Sequence, residues 1–322
     1  MASCASHAST PQQAPTVRPS TAASANALPD WIHALGGASV RLDEATWTIR
    51  MSRPAAVRAS ADAKGVPAGW RTAKADLTLT NTTDQIQDLP TVSVKARFGA
   101  YGRAAAQFTD PQAQVDGLPS GGDDAPKVAP GSSFTTSLGL AIPADTPAQD
   151  ATLTVTVEAT LLGQASSLPP VFFEGALPGA TAAVAPGLQA QPAKTKTLAF
   201  GEWHDDGATR LRLSPITVDK STVNGQRTCS LDLTVINDAT DDTLAQSLNT
   251  ILHVYYGTSL TEGPTVSNGP QGYDDAPIAP QRAATETVHF TLPASAVPGP
   301  FTIEAGDAPV WNQRVTYEGR VG

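Results

Sequence analysis

The densest set of side chains capable of chemistry in this sequence is EWHDDG, Glu202 to Gly207, which gathers His204 with Glu202, Asp205 and Asp206. Imidazole nitrogen and carboxylate oxygen are zinc ligands, and carboxylates alone suit calcium, so a divalent metal is the first chemistry to weigh. The spacing lends little support, since no HxH, HExxH, CxxC or EF-hand pattern accompanies the segment. A hairpin turn between FGEW and ATRLRL accounts for the same residues, with Asp206 and Gly207 at the turn and the carboxylates in water. We take the turn as the reading, and expect neither a metal site nor a cofactor. The DDAP pairs (Asp123-Asp124 and Asp274-Asp275) and Asp241-Asp242 invite a calcium reading of the same weak kind.

The remaining candidates thin out quickly. Of five histidines, His7 lies in the leading segment and His33 sits in DWIHALGG, where packing beside Trp31 explains it. His253 and His289 have apolar neighbours of opposite parity (Leu252 and Val254, Val288 and Phe290), which predicts a solvent face or an edge. No GxSxG, SxxK, P-loop or GxGxxG pattern is present, so no nucleophile with its base and no phosphate cradle can be named. The expectation is a protein that is not an enzyme. Cys229, in RTCSLDLTVIN, shares the parity of Leu231, Leu233 and Val235 and reads as a small core residue.

Composition points to the elements that would hold any site. The 322 residues include 26 Gly and 27 Pro, with 16% charged and 6% aromatic residues, a profile of many short strands and turns. The length suits two average domains, each large enough to bury about two thirds of its unfolded surface. The net charge of −9 is spread over both halves, which argues against nucleic acid as a partner. No apolar run approaches the ~20 residues of a membrane-spanning helix.

The pattern along the chain is alternation. In AKADLTLTN, Leu77 and Leu79 alternate with Asp76, Thr78 and Thr80; VSVKARFGAYG, APGSSFTTSLGLAIP and ATLTVTVEATL follow, with Leu138, Leu140, Leu153, Val155 and Val157 on one face. The second half repeats the order. Asn224-Gly225 predicts a tight type I′ hairpin, DLTVIN (Asp232–Asn237) mirrors DLTLTN (Asp76–Asn81), TILHVYYG matches VSVKARFG, and APQRAATETVHFTLP matches APGSSFTTSLGLAIP. In both copies a proline, Pro143 or Pro293, ends the late strand because it cannot donate to a ladder. The expected organisation is a disordered tether over 1–29, a sandwich over 30–177, a Pro/Ala/Gly linker over 178–193 and a second sandwich over 194–322.

On these motifs each half resembles the bacterial immunoglobulin-like domain of unknown function found on secreted proteins and lipoproteins of actinobacteria and other bacteria. The second copy departs from the pattern at Pro280-Gln281, where Pro-Gly is expected. The resemblance implies an all-β fold of two tandem immunoglobulin-like antiparallel β-sandwiches and a secreted or cell-surface setting, and it brings no catalytic residues. MASC, ending at Cys4, resembles the end of a lipoprotein cleavage site, although no charged and apolar regions precede it and Met1 stands where an aliphatic residue is usual. A lipid anchor at Cys4, the one expected route to a membrane, and an incidental cysteine both remain open.

The functional expectation is a non-enzymatic exported binding or adaptor protein that recognises another extracellular or envelope protein; the alternative is a module binding carbohydrate or an envelope polymer. Arg97 and Tyr101 in ARFGAYG and Tyr255 and Tyr256 in HVYYG are the candidate partner-binding residues, since arginine and tyrosine are enriched at hot spots and the adjoining glycines allow close backbone approach. For a glycan, an exposed row drawn from Trp47, Trp70, Trp203, Trp311, Tyr255 and Tyr256 would be required.

Overall fold

The computed structural model describes residues 28–43, 46–119, 125–161, 168–181, 197–205, 209–240, 246–247, 250–267, 276–307 and 315–321. The described chain is all-β, with three single-turn 3₁₀ segments as its helical content. Alternation decides the strands. Along Trp70–Asn81, residues Ala73, Ala75, Leu77 and Leu79 point inward and are buried, while their neighbours stay partly wet. Burying each leucine contributes about 2 kcal/mol, and a one-residue slip would forfeit the whole set.

Apolar packing falls into two large cores. One draws on residues from Leu35 to Leu177, the other on residues from Leu198 to Val321. In the N-terminal half, a sheet ordered Val40–Arg41, Trp47–Met51, Trp70–Asn81, Ser133–Pro143, Ala106–Phe108 packs on a sheet ordered Ile32–Ala34, Val171–Ala176, Thr152–Thr160, Thr91–Phe98, Arg103–Ala104. In the C-terminal half, Leu198–Ala199, Val315–Val321, Gly299–Asp307, Thr250–Tyr256, Thr261–Ser267 packs on Trp203–Asp205, Thr209–Leu213, Gln226–Asn237, Ala283–Pro293. Each half opens with a short strand lying parallel to that half's last strand, Ile32–Ala34 on Val171–Ala176 and Leu198–Ala199 on Val315–Val321. The other pairings within the halves are antiparallel. All of Leu77, Leu79, Leu138, Leu140, Leu233, Val235, Phe290 and Leu292 are buried, as their parity predicts.

The repeated sequence motif builds the same hydrogen-bond device twice. Asn81, wholly buried, donates through Nδ2 to the Val128 carbonyl at 2.9 Å and accepts from the Thr83 amide at 2.9 Å. Asn237, also wholly buried, donates to the Ile278 carbonyl at 2.9 Å and accepts from the Ala239 amide at 3.0 Å. The Gly131 amide donates to the Asn81 carbonyl at 3.0 Å and the Gln281 amide to the Asn237 carbonyl at 2.7 Å. Gln281 adopts φ +57°, close to the +67° of Gly131, so the turn keeps its left-handed geometry without the glycine the motif leads one to expect. At Asn224-Gly225 both φ values are positive, +52° and +75°, as the hairpin requires.

The two halves are joined by more than the chain between them. Arg103–Ala104 pairs antiparallel with Thr91–Phe98 on one side and parallel with Ala283–Pro293 on the other, so a sheet from each half merges into one of ten strands. Gly102 makes the approach possible: it has φ +59°, and a Cβ there would stand 1.8 Å from the Ala283 carbonyl oxygen. The Thr285 amide donates to the Gly102 carbonyl at 3.0 Å and its hydroxyl to the Tyr101 carbonyl at 2.6 Å. Beside this seam the Arg282 guanidinium grips Glu174 at 2.5 and 3.2 Å, and the Glu174 side chain is fully shielded from solvent. Arg103 pairs with Asp232 at 2.9 Å, and Ile32, Phe172 and Ala279 form a small apolar cluster across the same boundary.

Candidate functional site

Tyr101 stands where the seam reaches the surface. It lies in the turn after the strand Thr91–Phe98, closed by the Gly102 amide donating to the Gly99 carbonyl at 3.1 Å, with Gly99 at φ +74°. Its backbone carbonyl is held by Thr285, and its ring lies 6.4 Å from Trp203 at an interplanar angle of 25°. The Arg212 guanidinium sits 4.8 Å from the Tyr101 ring centre and 4.5 Å from that of Trp203. Such cation–π contacts are worth about 0.5–2 kcal/mol and fix the direction of the ring. The side chain nonetheless remains 41% exposed.

On the N-terminal side the same turn borders a cleft of about 310 Å³. Phe98, Tyr101, Pro143 and Pro147 supply its apolar wall, and Asp145, Asp150 and Arg103 its charges. One main-chain bond ties the two rims, the Gly99 amide donating to the Thr152 carbonyl at 3.0 Å, and two local turns shape the second rim, Thr146 donating to Pro143 at 3.1 Å and Asp150 to Pro147 at 2.9 Å. Arg71 reaches the Thr146 carbonyl at 3.4 Å from the strand Trp70–Asn81. The cleft is therefore a preformed feature of the fold, at the small end of the range in which single side chains and small ligands are held.

The other candidates are placed differently. Arg97 is turned inward, 5% exposed, and donates to the Ala276 carbonyl at 3.3 Å, so its reach is spent on the C-terminal half of its own chain. Tyr255 and Tyr256 are half-buried in Thr250–Tyr256, which is paired on both sides, by Thr261–Ser267 and Gly299–Asp307. Neither ARFGAYG nor HVYYG offers the open strand edge that a partner strand would need, because each is occupied by the molecule's own strands. Cys4 lies outside the described residues, as do Trp311, Asp206, Gly207 and the acidic pairs of DDAP.

Within EWHDDG, three described side chains carry structural tasks. Glu202 accepts from the Ala199 amide at 2.9 Å, closing its own turn. Trp203 is buried against Ile236 and Ala283, and Asp205 adds its charge to the field that, with the bidentate partner Asp238, holds Arg210 in its charged form. Among the described residues no three His, Cys, Asp or Glu side chains converge as metal ligands do. His33 lies 6.0 Å from the Phe173 ring, and burial lowers its pKa. Cys229 is fully buried, and burial raises its thiol pKa, as expected of a core cysteine.

No protein-family model matches the chain, and no curated protein matches it. Among solved structures it is similar to an uncharacterized β-sandwich protein from Clostridium difficile 630, at 13% identity and a TM-score of 0.29 over 41% of this chain and 99% of that one. It is also similar to a protein of unknown function from Porphyromonas gingivalis W83, at 15% identity and a TM-score of 0.17 over 85% of this chain and 99% of that one.

The sequence marked Tyr101 but not its surroundings. Asp145 and Asp150 come from the loop after Ser133–Pro143, and Trp203 and Arg212 from paired strands of the other half, and single-sequence patterning carries no signal of their convergence on Tyr101. What could have been noticed is that Arg210 and Arg212 alternate in TRLRL, which puts both guanidinium groups on one side of a strand.

Proposed function

We propose that this chain is a non-enzymatic, exported β-sandwich protein that binds another extracellular or envelope protein, acting as an adaptor or display module, with a lipid anchor at Cys4 as its tie to a membrane. The observation that supports this reading over a glycan-binding one is the disposition of the aromatics. Trp47 and Trp203 are buried, Trp70, Tyr255 and Tyr256 are half-buried, and Tyr101 is the one large aromatic exposed among the described residues. A sugar platform needs a flat row of exposed rings; an isolated tyrosine held rigidly beside a cleft is the arrangement of a protein hot spot, where a few anchored aromatics carry most of the affinity.

The test is affinity capture from a native culture or envelope fraction, with the co-purifying species identified and its binding remeasured with pure components. Tyr101→Ala should weaken that complex about 30-fold, the equivalent of ~2 kcal/mol, while leaving a folded protein by circular dichroism. Retention of a polysaccharide in place of a protein, or a complex indifferent to Tyr101, would overturn the reading.

A further inference from the structure

Resting on that protein-binding reading, we infer that the cleft beside Tyr101 receives an arginine side chain from an extended, basic segment of the partner. Charge is the first argument. Asp145 is exposed and Asp150 half-buried on the rim, and among the described residues neither carboxylate has a hydrogen-bond or ion-pair partner. The cation of the lining, Arg103, is already committed to Asp232 across the seam at 2.9 Å, and Arg71 to the Thr146 carbonyl at the base of the loop. The chain carries a net charge of −9, so a basic segment is drawn toward it from a distance.

Shape and stacking narrow the class further. A volume of about 310 Å³ admits one long side chain and its flanking backbone. Its apolar wall of Phe98, Pro143 and Pro147 suits the methylene stem of arginine, and the rim carboxylates suit the guanidinium fork. Although Arg212 lies 4.8 Å from the Tyr101 ring, Tyr101 lines the cleft and stays 41% exposed, which leaves ring surface on which a planar cation can stack. Lysine offers neither the plane nor the fork, so arginine is preferred.

The experiment is fluorescence anisotropy on the full chain with a labelled peptide, acetyl-APRVRPA-amide, against its charge-reversed partner APEVEPA and the lysine version APKVKPA. The arginine peptide should bind saturably, the lysine peptide more weakly and the glutamate peptide not at all. The double variant Asp145→Asn/Asp150→Asn, whose side chains hold nothing together, should weaken the arginine peptide about five- to tenfold. Tyr101→Phe, which keeps the ring, should stay within about twofold of the parent, and Tyr101→Ala should lose about tenfold or more. Absence of saturable binding, or equal binding by the parent and the double Asn variant, overturns the proposal, the latter by exposing diffuse attraction to an acidic protein. Should the captured partner still bind the double Asn variant at full strength, the arginine cleft falls while the protein-binding reading stands. If no protein is captured at all, it is the broader reading that fails.

Discussion

Replacing Arg282 with methionine removes the cation from a carboxylate that has no access to water. Glu174 has a fully shielded side chain, two bonds from Arg282 at 2.5 and 3.2 Å, and a further one from the Thr154 hydroxyl at 3.2 Å. Arg282→Met leaves the threonine bond but removes the bidentate guanidinium, and breaking a buried ion pair by removing one member destabilises a protein by about 3–5 kcal/mol. For a cooperative unit of this size each kcal/mol is worth about 2–4 °C, so Tm should fall by about 6–20 °C. The double change Glu174→Leu/Arg282→Met removes both charges and should recover most of the loss, since an apolar pair of similar volume is often as stable as the buried ion pair it replaces. Differential scanning calorimetry on the parent and both variants, with urea unfolding followed by tryptophan fluorescence, reads the effect. An Arg282→Met transition within about 1 °C of the parent would mean that the Arg282 pair is not what stabilises the Glu174 charge, which would refute the argument.

Asn81→Ala and Asn237→Ala should each cost about 2–3 kcal/mol in urea unfolding, because each leaves a buried carbonyl, that of Val128 or Ile278, without its donor; a loss near zero at either site would deny the duplicated device its role. Burial, first, pushes the Tyr317 phenol above the ordinary tyrosine range, with the Arg212 charge partly opposing it. A folded-state pKa above the unfolded one supplies stability that is whole below about pH 10 and lost as pH rises beyond it, so urea midpoints should fall more steeply above pH 10 in the parent than in Tyr317→Phe. Equal slopes would place the alkaline sensitivity elsewhere. Neither calcium nor zinc should raise Tm, given the structural tasks of Glu202 and Asp205; a rise that grows with metal concentration and vanishes in His204→Ala would restore the metal reading of EWHDDG.

The strands were legible because alternation is a local property: Leu77 and Leu79, or Leu231 and Leu233, declare their face within a few residues, and the structure buries all four. The turn at Asn224-Gly225 was legible for the same reason. The asparagines that close DLTLTN and DLTVIN were visible as a repeated motif, but their function was not, since the carbonyl each one holds lies dozens of residues away. The seam was hidden altogether. Glu174 on its strand and Arg282 just ahead of Ala283–Pro293 look like ordinary polar positions, and only the fold reveals that they meet. Arg97 misled for a related reason: a long cation beside an aromatic resembles a surface anchor, and nothing local records that Ala276 waits above it.

The duplication also explains why the two copies are not interchangeable. In the N-terminal half the outer edge of Ser133–Pro143 is closed by Ala106–Phe108 from the same half. The equivalent strand in the C-terminal half, Ala283–Pro293, meets Arg103–Ala104 of the other copy at Thr285 instead. A bare strand edge invites pairing with any passing chain, and proteins cover such edges with short strands or charge; here one copy caps the start of the other's edge, at Thr285. Covering it costs little sequence, a glycine at 102 with no Cβ to collide with Ala283 and a threonine at 285 to hold Tyr101. That same turn carries the exposed ring and one wall of the cleft. Two sandwiches joined only by a linker would present a binding loop that swings with one of them. By fastening the loop to both halves, this arrangement presents Tyr101 in a fixed direction, which would lower the ordering entropy left for the proposed partner to overcome.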